Sequence, residues 1–261
     1  MTVSRTPTVH PSAHVDPDAR LAPDVRVGPG VVVEANVEVA AGCELLAGTV
    51  LHDGTRLGER CRVGPYAVVG GLPMDSHFHG EASLAVLEAG VTVREFVTVH
   101  RATGEGARTT VGTGSLLMSY VHVSHNTRVG RGCVLTTAVQ LGGHSEIGDH
   151  AVLGSNALVH QFCRVGTYAM VGGASAINRD VLPFTMARGN PTRHYRLNRV
   201  GLLRHGIDGE RYRVLEQAVR ALRHRDRARL AELAERHADV RGLLAFAEGS
   251  TRGVARFAVG G

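Results

Sequence analysis

Fifteen histidines occur among the 261 residues of the sequence, and four of them cluster in its middle part. These are His122, His125, His144 and His160. Imidazole changes protonation near neutral pH, so a set of histidines can supply a general base with substrate-binding neighbours. It can also supply ligands to a metal ion. A third interpretation is that the four are unrelated surface residues, and the elements that carry them decide between the three.

The element that must position these histidines is a repeat of six residues. An aliphatic residue stands at every sixth position from Val9 to Val69 and again from Val111 to Ile177, and a small or β-branched residue follows four positions later. Between these blocks, we expect the aliphatic column at Val91 and Val97. A short fixed period is typical of stacked identical units. We predict short strands joined by bends, with three hexads closing one triangular coil of eighteen residues.

Folding the chain on this coil aligns the histidines. Residue 125 then stacks over residue 143, and residue 142 stacks over residue 160. His125, His144 and His160 therefore share one side of three successive coils, with His122 at the preceding corner. Random scatter would rarely place four histidines on one stripe. A general base is favoured over a metal centre, because no cysteine or carboxylate accompanies the histidines on the stripe.

The repeat divides the chain into two predicted domains. We expect a mainly β domain over residues 1–190, with loop insertions near 70–90 and 101–110. Beyond Pro191 the apolar spacing becomes helical, as at Leu215, Val219 and Leu222. An α-helical domain is therefore predicted over residues 191–261, with a first helix near 194–205 and a second near 210–224.

Composition limits the functions available to the chain. No apolar run approaches the ~20 residues that span a bilayer, and the N-terminus lacks the apolar stretch of a signal peptide. We therefore expect a cytoplasmic protein without a membrane span, whose four cysteines are buried and reduced. The arginines between Arg188 and Arg229 form either a docking face for an acidic protein or solvated helix faces. Nucleic acid is a less suitable partner, because no aromatic platform accompanies the charge.

Several motifs together resemble one family of hexapeptide-repeat enzymes, the acyl carrier protein:UDP-N-acetylglucosamine O-acyltransferases. The motifs span nearly the whole chain and are His122-Val-Ser-His125, Leu141-Gly-Gly-His144, His160-Gln161-Phe162-Cys163, Met170-Val-Gly-Gly173, Val99-His100-Arg101-Ala-Thr103, Gly189-Asn190-Pro191 and Asn198-x-x-Gly201-Leu202-x-Arg204. The resemblance implies a left-handed parallel β-helix followed by a helical domain. It also implies a homotrimer with active sites between subunits.

The same resemblance implies a reaction. A (3-hydroxy)acyl group would pass from the phosphopantetheine thioester of acyl carrier protein directly to the 3-position of UDP-N-acetylglucosamine or a related UDP-amino sugar, in a lipid A type pathway. No metal or other cofactor would be needed. His125 would be the general base, and the backbone N–H of Gly143 would bind the oxyanion.

Binding roles also follow from the resemblance. The substrate-binding residues would be Asp75, His122, His144, His160, Gln161, Asn198 and Arg204. Met170 and Gly173 would limit the acyl chain, and glycine at 173 leaves room for a long one.

The chain departs from the family pattern at the base and the acceptor. Asn126 replaces the acidic residue that usually follows the catalytic histidine, and Val200 replaces a glutamate of the helical domain. An amide oxygen can fix the imidazole tautomer but cannot stabilise the imidazolium as a carboxylate does. One alternative is therefore a divergent, non-catalytic protein that binds a nucleotide sugar or acyl carrier protein. A less favoured alternative is a zinc enzyme of the carbonic-anhydrase type.

Overall fold

The computed structural model describes residues 6–258 and shows a three-sided parallel β-helix followed by four α-helices. The strands are β1 (Thr8–Val9), β2 (His14–Val15), β3 (Arg20–Leu21), β4 (Arg26–Val27), β5 (Val32–Val33), β6 (Glu38–Val39), β7 (Glu44–Leu45), β8 (Val50–Leu51), β9 (Thr55–Leu57), β10 (Arg62–Val63), β11 (Val68–Gly71), β12 (Leu84–Leu87), β13 (Thr92–Val93), β14 (Thr98–His100), β15 (Arg108–Val111), β16 (Leu116–Leu117), β17 (His122–Val123), β18 (Arg128–Val129), β19 (Val134–Leu135), β20 (Gln140–Leu141), β21 (Glu146–Ile147), β22 (Val152–Leu153), β23 (Leu158–Val159), β24 (Arg164–Val165), β25 (Met170–Val171), β26 (Ala176–Ile177), β27 (Thr185–Arg188) and β28 (Arg193–Leu197).

Successive strands take the three faces of the coil in turn. Face A starts with β1, face B with β2 and face C with β3, and each strand pairs in parallel with the strand one coil later. Because the coil returns to each face after three hexads, Arg26 pairs with Glu44 and Glu44 pairs with Arg62. The solenoid predicted from the six-residue repeat is confirmed, and it is left-handed.

The interior of the coil is filled by the aliphatic column. The second residue of a typical two-residue strand points inward and is buried, as Val33, Leu51 and Leu153 are, while the first points outward. The small column fills the corners, where Cys43 and Cys133 are also fully buried. All four cysteines are free thiols in buried positions.

The expected position of the aliphatic column between the two blocks was wrong. Val63 pairs with Val93, and Val69 pairs with Val99, so these residues continue the column. Val91 instead occupies the corner column. Its carbonyl accepts a backbone hydrogen bond at the position where the Cys61 carbonyl accepts one in the preceding coil. Both columns carry valine here and both are buried, so residue type alone does not separate them.

The C-terminal part begins with an antiparallel strand pair. Strand β27 continues face A beside β25, and β28 turns back along β27. The helix expected from residue 194 therefore starts later, because Arg193–Leu197 are held in the sheet. The helices are α1 (Arg199–Arg204), α2 (Gly209–His224), α3 (Arg227–Arg236) and α4 (Ala238–Glu248).

A second apolar core joins these helices to the end of the β-helix. Leu182 and Phe184 pack in one cluster with Leu202, Leu215 and Leu243. None of the helices in the described part of the chain combines the length and the apolar character that a membrane crossing requires. The helical domain is thus anchored on the last coils by apolar burial.

Candidate active site

The turns between faces B and C, called here the B–C corner, carry three of the four predicted histidines. His125 follows β17, His144 follows β20, and His160 follows β23. The turns stack directly, because the His144 N–H donates to the His125 carbonyl at 3.1 Å and the Phe162 N–H donates to the Gly143 carbonyl at 3.1 Å. Stacked turns of one corner thus hold the candidate site.

His125 is the most enclosed of these side chains, with 8% of its surface exposed. Its ring meets the His144 ring edge-on, with centroids 5.3 Å apart. Its Nε2 atom faces the backbone of Gly143, where a Cβ atom would lie only 2.5 Å away. The next coil therefore leaves one ring nitrogen open beside a main-chain segment without a side chain.

Asn126 sets the protonation of the other ring nitrogen. Its Oδ1 atom accepts the Thr103 N–H at 2.9 Å, and its Nδ2 atom donates to the Thr103 carbonyl at 3.0 Å. These two bonds fix the amide orientation, so Oδ1 faces His125 Nδ1 at 3.0 Å as an acceptor. The proton therefore resides on Nδ1, and Nε2 is the basic atom. Asn126 adopts φ +58°, which asparagine tolerates better than most residues.

A carboxylate also reaches the site, contrary to the expectation from the stripe alone. Asp75 belongs to the first insertion, and its Oδ2 atom lies 3.7 Å from His125 Nδ1. Its Oδ1 atom accepts the His77 N–H at 3.0 Å and lies 2.9 Å from His77 Nδ1. The His77 backbone N–H, followed by the His77 side chain, holds the pKa of Asp75 well below its usual range. Asp75 is therefore ionised at neutral pH.

Asp75, His125 and His144 are also the group of side chains that could hold a metal ion. One potential ligand atom from each lies within 4.8 Å of the others. However, the His125 nitrogen nearest to the carboxylate is the one that faces the Asn126 amide oxygen. That nitrogen carries a proton and offers no lone pair to a metal. The arrangement accordingly suits acid–base chemistry better than metal binding.

Two further histidines of the site are held neutral. His122 Nδ1 lies 2.7 Å from Thr98 Oγ1, and burial lowers the pKa of His122 to about 4. Burial also lowers the pKa of His144, with the charge of His125 as the second cause. Sequence reasoning missed the place of His100, whose ring packs edge-on against His122 at 5.0 Å. Its signal in the sequence was the motif Val99-His100-Arg101-Ala-Thr103.

A groove of about 400 Å³ runs along face B from the histidines. His122, Gln140, Leu158 and His160 contribute to its wall, which continues to strand β26. Gly173 lies in the turn just before β26, at the far edge of face B, whereas Met170 lies on face A. A Cβ atom on Gly173 would lie 3.1 Å from the Ser155 carbonyl oxygen. The groove thus follows face B from His122 to Asn178, and neither His125 nor Gly173 lines it.

The structure does not bring the two helical-domain residues to the histidines. Asn198 caps α1 and donates through Nδ2 to the Tyr168 carbonyl at 2.9 Å. Tyr168 lies in a turn between faces C and A, a different corner of the coil. Arg204 ends the same helix with an exposed side chain. Gln161 is exposed at the B–C corner, beside His160.

The hexad β-helix and its histidine corner define a hexapeptide-repeat acyltransferase. A family model described as UDP N-acetylglucosamine O-acyltransferase, domain 2, matches residues 180–255. The acyl-[acyl-carrier-protein]--UDP-N-acetylglucosamine O-acyltransferase of Halorhodospira halophila is 40% identical over 199 residues, which is 73% of this chain and 77% of that relative. The chain belongs to this family of acyltransferases.

Two further comparisons set the extent of the likeness. A relative of the same name from Synechocystis is 38% identical over 162 residues, so the match spans 62% of this chain and 59% of that relative. The solved structure of LpxA from Acinetobacter baumannii superimposes with a TM-score of 0.89 at 30% identity, covering 95% of this chain and 99% of that chain. The fold is therefore matched over more of its length than the sequence.

Proposed function

We propose that the chain transfers a (3-hydroxy)acyl group from acyl carrier protein to the 3-position of UDP-N-acetylglucosamine or a related UDP-amino sugar, as in a lipid A type pathway. The observation that carries this proposal is the setting of His125. Asn126 holds the proton on Nδ1, and Nε2 faces the open backbone of Gly143. The printed names of the relatives, which specify acyl carrier protein and UDP-N-acetylglucosamine, support the substrates.

The reaction is a direct transfer. Nε2 of His125 takes the proton of the sugar 3-hydroxyl as its oxygen attacks the thioester carbonyl carbon. A carbon–oxygen bond forms, and the tetrahedral oxyanion is stabilised by the Gly143 N–H. No acceptor for that N–H lies within hydrogen-bonding distance among residues 6–258. The carbon–sulfur bond then breaks, and the thiolate leaves with the proton returned from the imidazolium.

The neighbouring side chains hold the two substrates. His144 is neutral and can offer one donor and one acceptor to the sugar hydroxyls, whereas His122, whose Nδ1 is engaged with Thr98 Oγ1, offers only Nε2. The acyl chain lies in the groove along face B and extends toward Gly173. Since residue 173 carries no side chain, we infer that a long acyl chain is accommodated.

The nucleotide is held between two copies of the chain in a homotrimer. Asn198, which caps the helix that ends at Arg204, lies at the C–A corner, and the base lies at the B–C corner of the same chain. A neighbouring subunit whose C–A corner faces this B–C corner supplies both residues to one site. Arginine suits the diphosphate, because its guanidinium makes two parallel hydrogen bonds to phosphate oxygens.

The acyl carrier protein docks on arginines of the helical domain. Part of this charge is already paired, since Arg211 contacts Asp239 and Arg229 contacts Glu232. The remaining excess of arginine attracts an acidic partner and increases the rate of encounter. We place the reaction in the cytoplasm, a reducing compartment that suits four free thiols.

The test is acyl transfer with a panel of acyl carrier proteins and UDP-sugars. The His125→Ala variant is expected to lose transfer by at least about a hundredfold and to retain UDP-sugar binding. Full activity of that variant would exclude His125 as the base. We do not favour the second function that Asn126 suggested, a non-catalytic nucleotide-sugar or carrier-binding protein, because the relatives are named as acyltransferases. Binding by the wild-type protein without turnover of any acyl chain supports that alternative.

A further inference from the structure

The general base of this chain lacks the partner that is next to it in the family pattern. Residue 126 is asparagine, and its amide oxygen lies 3.0 Å from His125 Nδ1. The amide fixes the tautomer, but it carries no charge. When His125 takes a proton at Nε2, the ring becomes an imidazolium in a nearly buried position. Such a cation requires a compensating anion or it forms poorly.

Asp75 is placed to act as that anion. Among residues 6–258 it is the one carboxylate that lies within 4.0 Å of a His125 nitrogen. Only 15% of its side chain and 11% of the His125 side chain are exposed, so water screens the pair weakly. At 3.7 Å the oxygen is beyond hydrogen-bonding distance of Nδ1. Its effect on the neutral ring is therefore small, and its effect on the cation is Coulombic.

The position of Asp75 is itself fixed. The Asp75 carbonyl accepts the Phe78 N–H at 3.1 Å, and Oδ1 accepts the His77 N–H. Thr103, in the second insertion, clamps the Asn126 amide through its backbone. Both insertions of the β-helix therefore meet behind His125: the first contributes Asp75, and the second holds the Asn126 amide that faces Nδ1.

We propose that Asp75 is the positioning residue that stabilises the His125 imidazolium, in place of a carboxylate at position 126. The inference rests on the proposed function, since it concerns the same base. Asp75 stays ionised throughout, and the proton passes from the sugar hydroxyl to Nε2 and then to the leaving thiolate.

The other titratable groups around His125 do not offer the same charge. His144 lies edge-on to the ring, and its pKa is lowered by burial. Burial, with the charges of neighbouring histidines as a smaller cause, lowers the pKa of His122 on the preceding strand. Burial is also the main cause that lowers the pKa of His100, which packs against His122. With lowered pKa values, none of the three imidazoles supplies the negative charge that Asp75 supplies.

The experiment compares Asp75→Asn, Asn126→Asp and the double variant Asp75→Asn/Asn126→Asp. In Asp75→Asn we expect kcat to fall by about tenfold or more, and the acidic limb of the kcat/KM profile to move about one pH unit lower, because the base loses its stabilising anion. The double variant should recover both quantities, since a carboxylate again faces Nδ1. Asp18→Asn, which removes one exposed carboxylate in the first coils, is the matched control and should change neither quantity.

A role limited to sugar binding predicts a different pattern. Asp75→Asn would then raise KM without moving the acidic limb, and Asn126→Asp would not restore it; that result overturns the inference. Wild-type turnover tests the proposed function by itself. An active wild-type protein whose acidic limb stays in place in Asp75→Asn overturns only this inference.

Discussion

Because Gly143 has no side chain, the His125 ring has space beside it. A Cβ atom on residue 143 would lie 2.5 Å from Nε2 and 2.7 Å from Cε1 of the imidazole, both far inside van der Waals contact. The two residues are one coil apart on the B–C corner, where Gly143 also accepts the Phe162 N–H. Glycine is therefore required at 143 for the base to keep its position.

The first prediction is that Gly143→Ala removes activity while the β-helix stays folded. The added methyl group pushes the His125 ring out of line with the bound hydroxyl and crowds the backbone N–H that binds the oxyanion. Loss of an oxyanion donor alone reduces kcat by about 10²–10³-fold. Steady-state kinetics and circular dichroism measure the two effects.

Gly114→Ala, at a turn where a Cβ meets nothing within 4 Å, is a control for the presence of the methyl group, although its positive φ adds some backbone strain. Retention of near-normal kcat in Gly143→Ala contradicts the assignment.

A second prediction concerns the separation of the site over two corners. If Asn198 of one subunit and His125 of another form one site, then His125→Ala and Asn198→Ala subunits should complement each other in mixed trimers. One interface in such a trimer joins an intact base to an intact nucleotide-binding residue. We expect each homotrimer to be inactive or nearly so, and a co-refolded mixture to regain a measurable part of the wild-type rate. Activity that never exceeds the sum of the separate variants indicates that each site lies within one chain.

The third prediction concerns the groove along face B. Gly173→Met should reduce transfer of long acyl chains much more than transfer of short ones, because the new side chain lies in the path of an acyl chain that extends toward residue 173. A Cβ atom at 173 already lies 3.1 Å from the Ser155 carbonyl, so the side chain has little freedom to turn away. One extra methylene of mismatch in an apolar pocket changes kcat/KM by about 10- to 200-fold. A chain-length series on both proteins gives the comparison, and equal losses at every length would show that the acyl group does not reach Gly173.

Much of this site could be predicted because the length of the repeat determines which residues stack in successive coils. A spacing of eighteen residues brings His144 beside His125 and Gly143 against its ring, and the hydrogen bonds between the stacked turns agree with that register. The same spacing did not show whether Val91 or Val93 belongs to the aliphatic column, because both columns carry a buried valine there. Periodicity fixes the register only where the two columns differ in residue size.

The residues outside the repeat could not be placed by it. Asp75 reaches His125 through an insertion whose path depends on the hydrogen bonds that Asp75 accepts from His77 and Phe78, and no spacing rule encodes that path. Residues 194–197 have helix-compatible types, yet they form β28 because the open edge of β27 offers backbone partners. Tertiary pairing overrides local propensity there.

The last prediction concerns His194, which joins β28 to the C-terminal segment. Its side chain is fully buried; Nε2 accepts the Leu182 N–H at 2.9 Å, and Nδ1–H donates to the Ala255 carbonyl at 2.9 Å. Burial lowers the pKa of His194 from 6.5 to about 4. A depressed histidine pKa stabilises the fold above the unfolded value of 6.5, and this stability is lost as the pH falls toward 4.

Between pH 7 and pH 5 the wild-type free energy of unfolding should fall by about 2 kcal/mol more than that of His194→Gln. Urea titrations at fixed protein concentration measure both, with the exposed His14→Gln as the control that should follow the wild type. Equal losses in wild type and His194→Gln would show that His194 is not the residue whose protonation destabilises the C-terminal segment.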